Sequence, residues 1–514
     1  MTTSFSLVSD PWIPVVYTCG RSGELSLQEL FAWADEVRDL AVNPYERVAV
    51  MRLLTCVTHA ALGGPANRKE WRKCRADISL ATASYLERWH GAFSLFGSAP
   101  FLQVSDLKLA TDDEGVSVST LDCALASGAN PTLFDHAGGE RRSLNPLSLL
   151  AHQSFSTGGL IGVGYWGGQP TNGWTTYPRP SVGRSSHAPC LAGNMLHAIL
   201  IGATLLETLH LNLLNQELVA EALGDDRWGK PVWEQMPTSP LDKPAVENAS
   251  STYLGRLVPL SRAILLRDDR QTLARANGLD YPDYSEGFRE PSATIIAIKK
   301  DGKDMRATLR AQFERATWRE LHSLTVRRID QKGMSGPLAL SNLDDGQEFD
   351  LWTGALLADK AKVLGSLESI FSQIPATMLD ETGQRIYQDG IQYAEGFAAR
   401  LREAVTAYHV ALGDKIDRPE AKDRRSQWQR AALAAFWTGA EQSRPLLLEL
   451  VRTAGDESDY AETAWGKAIQ RAAHRAYENT CPHDTSRQMK AFVAGLNKLS
   501  INQPNNQTKQ TKQS

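Results

Sequence analysis

Seven positions, Ile391, Ala394, Ala398, Leu401, Val405, Tyr408 and Leu412, recur at spacings of three and four in strict alternation. That period is the one an α-helix makes, so one stripe of a long helix has to be buried. A narrow, regular stripe suits antiparallel packing against further helices. Helical patterns follow at about 420–452, broken near Ser443-Arg-Pro445, and again at 459–479 and 485–498. The gaps near 414–419 and 455–458 are as short as bundle connections usually are. The segment 366–500 therefore reads as a four-helix bundle, and the polar stretch 501–514 as a disordered tail.

A bundle of that size leaves most of a 514-residue chain for at least one other core. Its start is well signposted. Residues around Trp12-Ile-Pro-Val-Val16 alternate as a strand, and Ser26 with Glu29 forms a capping box. Asn43, Pro44 and Glu46 open a second helix whose apolar face is Val50, Leu53, Leu54, Val57 and Ala61. From 91 to 190 turn residues and short apolar runs read as loops over a scaffold. Residues 192–222 return to helix, 252–300 to strands and turns with Ala293–Ile298 a clear strand, and helix is expected to dominate beyond about 305.

The net charge of −4 is unusual for a protein that grips free duplex DNA unaided. Any nucleic-acid role then needs a local basic surface or charge supplied by partners. Six scattered cysteines form no Cys-x-x-Cys pair, so neither a zinc site nor a disulfide framework is indicated. With no signal-peptide pattern and no apolar run of membrane length, the chain is expected to be cytoplasmic, without a membrane partner.

Between Gly158 and Gly168 stand six glycines in eleven residues, interleaved with Tyr165 and Trp166. Glycine is used where φ must be positive or where another molecule approaches bare backbone. No Gly-Lys-Ser/Thr follows, so the tract is not a Walker loop, nor does it match Gly-x-Gly-x-x-Gly. Three readings stay open: a structural loop, backbone contact with a macromolecule, or a nucleotide- or phosphate-binding enzyme using residues 156–168. Catalytic motifs are lacking. His483-Asp484 suggests a metal-dependent phosphohydrolase only weakly, because Pro482 and Thr485 mark a helix junction with Asp484 as its cap. No metal, cofactor or catalytic residue is expected.

Basic residues concentrate at 256, 262, 267, 270 and 275, and again from Arg306 to Lys332, where seven face three acids. Each cluster reads either as a solvated face or as a phosphate-tracking surface.

Several landmarks together resemble the large subunit of the type I-E CRISPR surveillance complex, the CasA family of Cascade. They are Asp10-Pro-Trp-Ile-Pro-Val15, Phe96-Gly-Ser-Ala-Pro-Phe-Leu-Gln103, Gly128-Ala-Asn-Pro-Thr-Leu-Phe134, and the glycine tract after His152-Gln153. Trp318-Arg-Glu-Leu321, Gly336-Pro-Leu338, the turn with Gln347 and the C-terminal helices follow in order. The resemblance implies a large mixed α/β (α+β) N-terminal domain, here 1–365, ahead of the bundle. It implies a non-enzymatic subunit that recognises the protospacer-adjacent motif (PAM) of duplex DNA, starts strand separation and helps recruit a helicase-nuclease. Its implied partners are guide RNA, target DNA, and the backbone, small and handle-binding subunits of Cascade. Gly158, Gly159 and Gly162 match the loop entering the minor groove, and Gln347 the strand-separating wedge. Asn130, Thr132 and Phe134 lie in the loop that meets the guide RNA. The family's basic finger falls where no lysine stands in register, and Arg270 or Arg275 takes its place.

Overall fold

The computed structural model describes residues 5–109, 116–123, 125, 144–156, 164–165, 188–191, 193–225, 227–239, 241–267, 270–330, 333–359, 362–414, 419–453 and 459–499. The chain divides into two compact units, Met1–Ile374 and Pro375–Ser514.

The first unit opens with a three-stranded antiparallel meander of β1 (Ile13–Tyr17), β2 (Ser22–Leu25) and β3 (Val37–Leu40), in the order β2-β1-β3. The capping box of Ser26 and Glu29 forms as the sequence predicts. So does the start of the Pro44–Leu62 helix, where the Glu46 carboxylate accepts from the Asn43 backbone N–H at 2.9 Å. This helix is buried all round from Tyr45 to His59 rather than along one stripe. Its polar side chains must then find partners inside the fold. Arg52 donates to the carbonyls of Leu257 and Arg256 and pairs with Glu290 at 2.7 Å. Arg256 reaches the other oxygen of the same carboxylate at 2.5 Å.

Two short strands, β4 (Lys108–Leu109) and β5 (Val116–Ser117), precede the Pro146–Phe155 helix, and β6 (Gly164–Tyr165) pairs antiparallel with β4. The expectation of helix across 192–222 is corrected at its start: β7 (His197–Ile201) is a strand, and only then do the Leu205–Asn212 and Gln216–Leu223 helices follow. A short apolar run has no period of its own, and here pairing decides it. Next come β8 (Arg262–Leu266) and β9 (Thr272–Asn277), in a sheet ordered β5-β9-β8, and the hairpin β10 (Ile295–Lys300) with β11 (Lys303–Thr308).

Beyond 305 helix predominates as expected, but its long elements all lie in the second unit, and the first unit still closes in strands. The long hairpin of β12 (Phe349–Asp359) and β13 (Lys362–Ile374) ends the unit, with β12 central in the order β13-β12-β7. Strand β12 is buried almost throughout, so its apolar residues run on without alternation and carry no strand period. At Gly354 a Cβ would lie 2.2 Å from the Trp352 ring, which is itself fully buried.

In the second unit the described residues form helices Glu381–Ala411, Pro419–Gln442, Arg444–Arg452, Ala464–Thr480 and Ser486–Leu499. The seam behaves as its spacing predicts: Ile391 to Tyr408 are buried, and only Leu412, past the helix end, is half-buried. Glycine brings the helices close. The Trp465 indole donates to Gly390 O at 3.0 Å, and a Cβ at Gly495 would meet the Tyr477 hydroxyl at 1.9 Å. The last helix is capped by Thr485, whose hydroxyl accepts from Gln488 N at 3.2 Å, and not by Asp484. That helix starts at Ser486, which leaves Asp484 one position too early. No helix among the described residues is long and apolar enough to cross a membrane.

Candidate nucleic-acid interface

Gln347 lies in an exposed turn immediately before the buried Phe349 that starts β12. Gly346 takes φ +80°, a left-handed conformation that suits glycine at this corner. The base of the turn is clamped from two sides. From the Arg68–Cys74 helix, Arg68 donates to Leu343 O at 2.8 Å, and Arg72 pairs with Asp344 at 2.6 Å. From the opposite chain segment, Arg327 donates to Leu343 O at 2.9 Å and pairs with Asp345 at 2.5 Å. The hydrogen bond and charge of Arg327 hold the Asp345 carboxyl below its ordinary range. Gln347 itself makes no hydrogen bond to the described residues. The result is a turn fastened on its N-terminal side, with the uncharged, exposed Gln347 just past Gly346.

The glycine tract begins from a different anchor. Strand β8 is an edge strand, and an edge leaves backbone groups that need partners. Gln153, fully buried at the end of the Pro146–Phe155 helix, accepts from Arg262 N at 2.9 Å and donates to Arg262 O at 2.9 Å. Val104 N donates to Ile264 O, and Gln103 accepts from Leu266 N at 2.8 Å. Two side-chain amides and one backbone group thus stand in for a missing neighbouring strand. The Ser261 hydroxyl, donating to Gln153 O, shares a 3.0 Å hydrogen bond with Ser156, the last described residue before the tract. Residues 157–163 lie outside the described residues, and with them Gly158, Gly159 and Gly162; so do Asn130, Thr132 and Phe134.

The basic clusters sort by burial. Arg256, 2% exposed, belongs to the Glu290 core pair with its guanidinium 3.7 Å from the Phe288 ring centroid, and Arg262 is 5% exposed. Neither belongs to a phosphate-tracking surface: charge count alone does not tell a core arginine from a surface one. Arg275, half-buried on β9 opposite Ile264, has its pKa lowered by burial. Burial, with Arg275 and Arg262 nearby, pushes His152 well below its ordinary range, so it stays neutral. Arg270 sits at the turn between β8 and β9 with φ +57°, its guanidinium 4.2 Å from the Phe96 ring centroid. Arg270 is therefore carried by the same hairpin whose open edge anchors the approach to the glycine tract. In the 306–332 run, Arg319 is buried and Arg315 pairs with Glu320, while Arg327 and Arg328 reach the Gln347 side.

The sequence model of CRISPR-associated protein Cse1 matches residues 6–476. The chain belongs to the Cse1 family. The resemblance to CasA read from the motifs holds over nearly the whole chain. CasA/Cse1 of Thermus thermophilus is 27% identical over 513 residues, covering 93% of this chain and 92% of that protein. Among solved structures, Thermus thermophilus CasA aligns with TM-score 0.73 at 21% identity, covering 96% of this chain and 98% of its own. Thermobifida fusca Cse1 aligns equally well, with TM-score 0.73, 21% identity and coverage of 97% and 98%. This Cse1 chain shares their mixed α/β fold with a helical C-terminal region.

Arg68 and Arg72 were not legible as site residues in the Cse1 sequence. Their partners lie 272 to 276 positions away, and no local period carries such a pairing. The one usable signal is Asp344-Asp345 ahead of Gly346, two acids at a tight turn that need cations from elsewhere.

Proposed function

We propose that this Cse1 chain is the non-catalytic large subunit of a type I-E Cascade complex in the cytoplasm. In that role it recognises the protospacer-adjacent motif of duplex DNA, starts strand separation and helps recruit the helicase-nuclease. Membership of the family supports the assembly, and a similar solved structure bears the description CRISPR RNA-guided surveillance complex, with TM-score 0.69. The observation that carries the strand-opening role is the clamped Gln347 turn. A wedge that enters a base step must resist being pushed back, and unstacking a step costs about a few kcal/mol. A turn fastened by three arginines on its N-terminal side, with the exposed Gln347 just past Gly346, meets that requirement.

The remaining parts follow the same reading. Gly158, Gly159 and Gly162 bring bare backbone into a minor groove about 6 Å wide, where readout is degenerate and several motifs are tolerated. Arg270, at a hairpin turn, suits the basic finger better than Arg275, which lies within a strand. Asn130, Thr132 and Phe134 meet the guide RNA, where an aromatic can stack on a base. With Pro419–Gln442 and Arg444–Arg452 counted as one broken arm, the C-terminal helices form a four-helix bundle that contacts neighbouring Cascade subunits and DNA.

The test uses the chain assembled with guide RNA and the other Cascade subunits. Strand-separation rates are measured by base-analogue fluorescence on intact targets and on targets with a pre-opened bubble beside the motif. Gln347→Ala is expected to slow opening about tenfold, ~1.4 kcal/mol at the barrier, and to leave the bubbled target unaffected. Equal impairment on both targets would remove Gln347 from the wedge role.

A further inference from the structure

Beside the Gln347 turn lies a cleft of about 370 Å³ whose lining includes Arg68, Arg289, Arg327 and Arg328. Two of these guanidinium groups are already engaged, because Arg68 and Arg327 hold the turn. The other two are differently placed. Arg289 is nine-tenths buried, donates one hydrogen bond to Gly336 O at 2.5 Å, leaves its Nε without a partner, and pairs with no carboxylate among the described residues. Burial lowers its pKa to about 10, so it remains a cation at neutral pH. Arg328 is exposed and likewise pairs with no carboxylate among the described residues.

A buried cation without a counter-charge is costly unless an anion comes to it. The planar guanidinium matches the oxygens of phosphate and carboxylate, and Arg289 and Arg328 line the same cleft, where one phosphate offers oxygens to both. Glu217 and Glu221, exposed on the Gln216–Leu223 helix, line the same cleft. They oppose a second anion and limit the cleft to one phosphate against its arginine wall. Asp344 and Asp345 already show that an anion is accepted by the neighbouring arginines.

We propose that this cleft binds one backbone phosphodiester of the nucleic-acid strand that Gln347 separates, through Arg328 and Arg289. The site rests on the wedge reading given above. It supplies what that reading lacks: a fixed point on the backbone beside the opened step, so that the strand is held as well as parted.

The experiment is a methylphosphonate scan. Neutral linkages are placed one at a time along both strands near the motif, and binding to the assembled complex is measured by gel shift at several salt concentrations. For the wild-type complex, one neutral linkage beside the opened step is expected to weaken binding about fivefold to tenfold. Arg328→Ala, an exposed substitution that leaves the fold alone, should weaken the all-phosphate duplex similarly and lower the salt slope by about one. The neutral linkage should then have no further effect on Arg328→Ala, and Arg289→Lys should reduce its effect in part. If wild-type and Arg328→Ala complexes respond equally to every linkage while DNA is still opened, the cleft proposal is overturned and the wedge stands. If neither complex opens duplex DNA, the wedge reading fails and the cleft proposal falls with it. Protection of the cleft by inorganic phosphate alone, with no linkage effect, would assign it to a free anion and also overturn the proposal.

Discussion

Arg327 pairs with Asp345 at 2.5 Å while another of its nitrogens donates to the Leu343 carbonyl at 2.9 Å, so one side chain holds two points on the N-terminal side of a short turn. The Arg327 side chain is 15% exposed and that of Asp345 92%. An ion pair open to solvent on one side adds little to global stability. Its effect is local, on the position of the next two residues. Arg327→Ala is therefore expected to leave the melting temperature of the isolated chain within a few degrees of wild type and to slow strand opening several-fold in the complex. A large fall in melting temperature, or unchanged opening, would show that the turn does not depend on this clamp.

The glycine tract makes a separate prediction. Gly158→Asp or Gly159→Asp adds a side chain and a negative charge where bare backbone is proposed to enter the minor groove. Motif-dependent binding by the assembled complex should be abolished in gel-shift titration, while the circular dichroism spectrum of the chain is unchanged. Retained discrimination between duplexes with and without the motif would return the tract to an ordinary loop.

Gln153→Ala should act through stability. It removes the two hydrogen bonds to Arg262 and leaves a buried N–H and a buried carbonyl on β8 without partners. Unsatisfied buried groups cost about 1–3 kcal/mol each. Thermal denaturation should show a clear loss, and hydrogen exchange at Arg262 and Ala263 should speed up before the rest of the sheet. The Ser261 hydroxyl bonds the backbone carbonyl of residue 153, which alanine keeps, so the link to Ser156 is expected to weaken only as β8 itself loosens.

Glu290 predicts an acid limit. Burial would raise its pKa, but Arg52 and Arg256 outweigh burial and hold it at about 2, below its ordinary value of 4.5. A carboxyl whose folded pKa is depressed contributes stability that is complete above the unfolded value and lost as pH falls toward the folded one. Stability should thus decline between about pH 4.5 and 2. Glu290→Gln leaves two buried guanidinium groups uncompensated and should cost about 3–5 kcal/mol. Denaturant titrations of wild type and Glu290→Gln from pH 7 down through that range test this: a variant as stable as wild type at pH 7 would contradict it.

What the sequence alone determined were features whose cause lies within a few residues. The Ser26–Glu29 and Asn43–Glu46 caps, the Ala293–Ile298 strand and the 391–412 seam each express a hydrogen bond or a burial period closed between near neighbours in the chain. Family membership was legible too, because ordered motifs survive when each is short. Tertiary structure decided the rest. Strand β7 exists because β12 lies beside it, and β12 reads as no pattern because both its faces are covered. Arg256 became part of the core and Arg328 part of a surface, although both are the same residue in a basic run. Arg68 and Arg72 joined the Gln347 turn across more than half the chain. A charge acts over a few ångströms of space, and only the fold says which residues are that close.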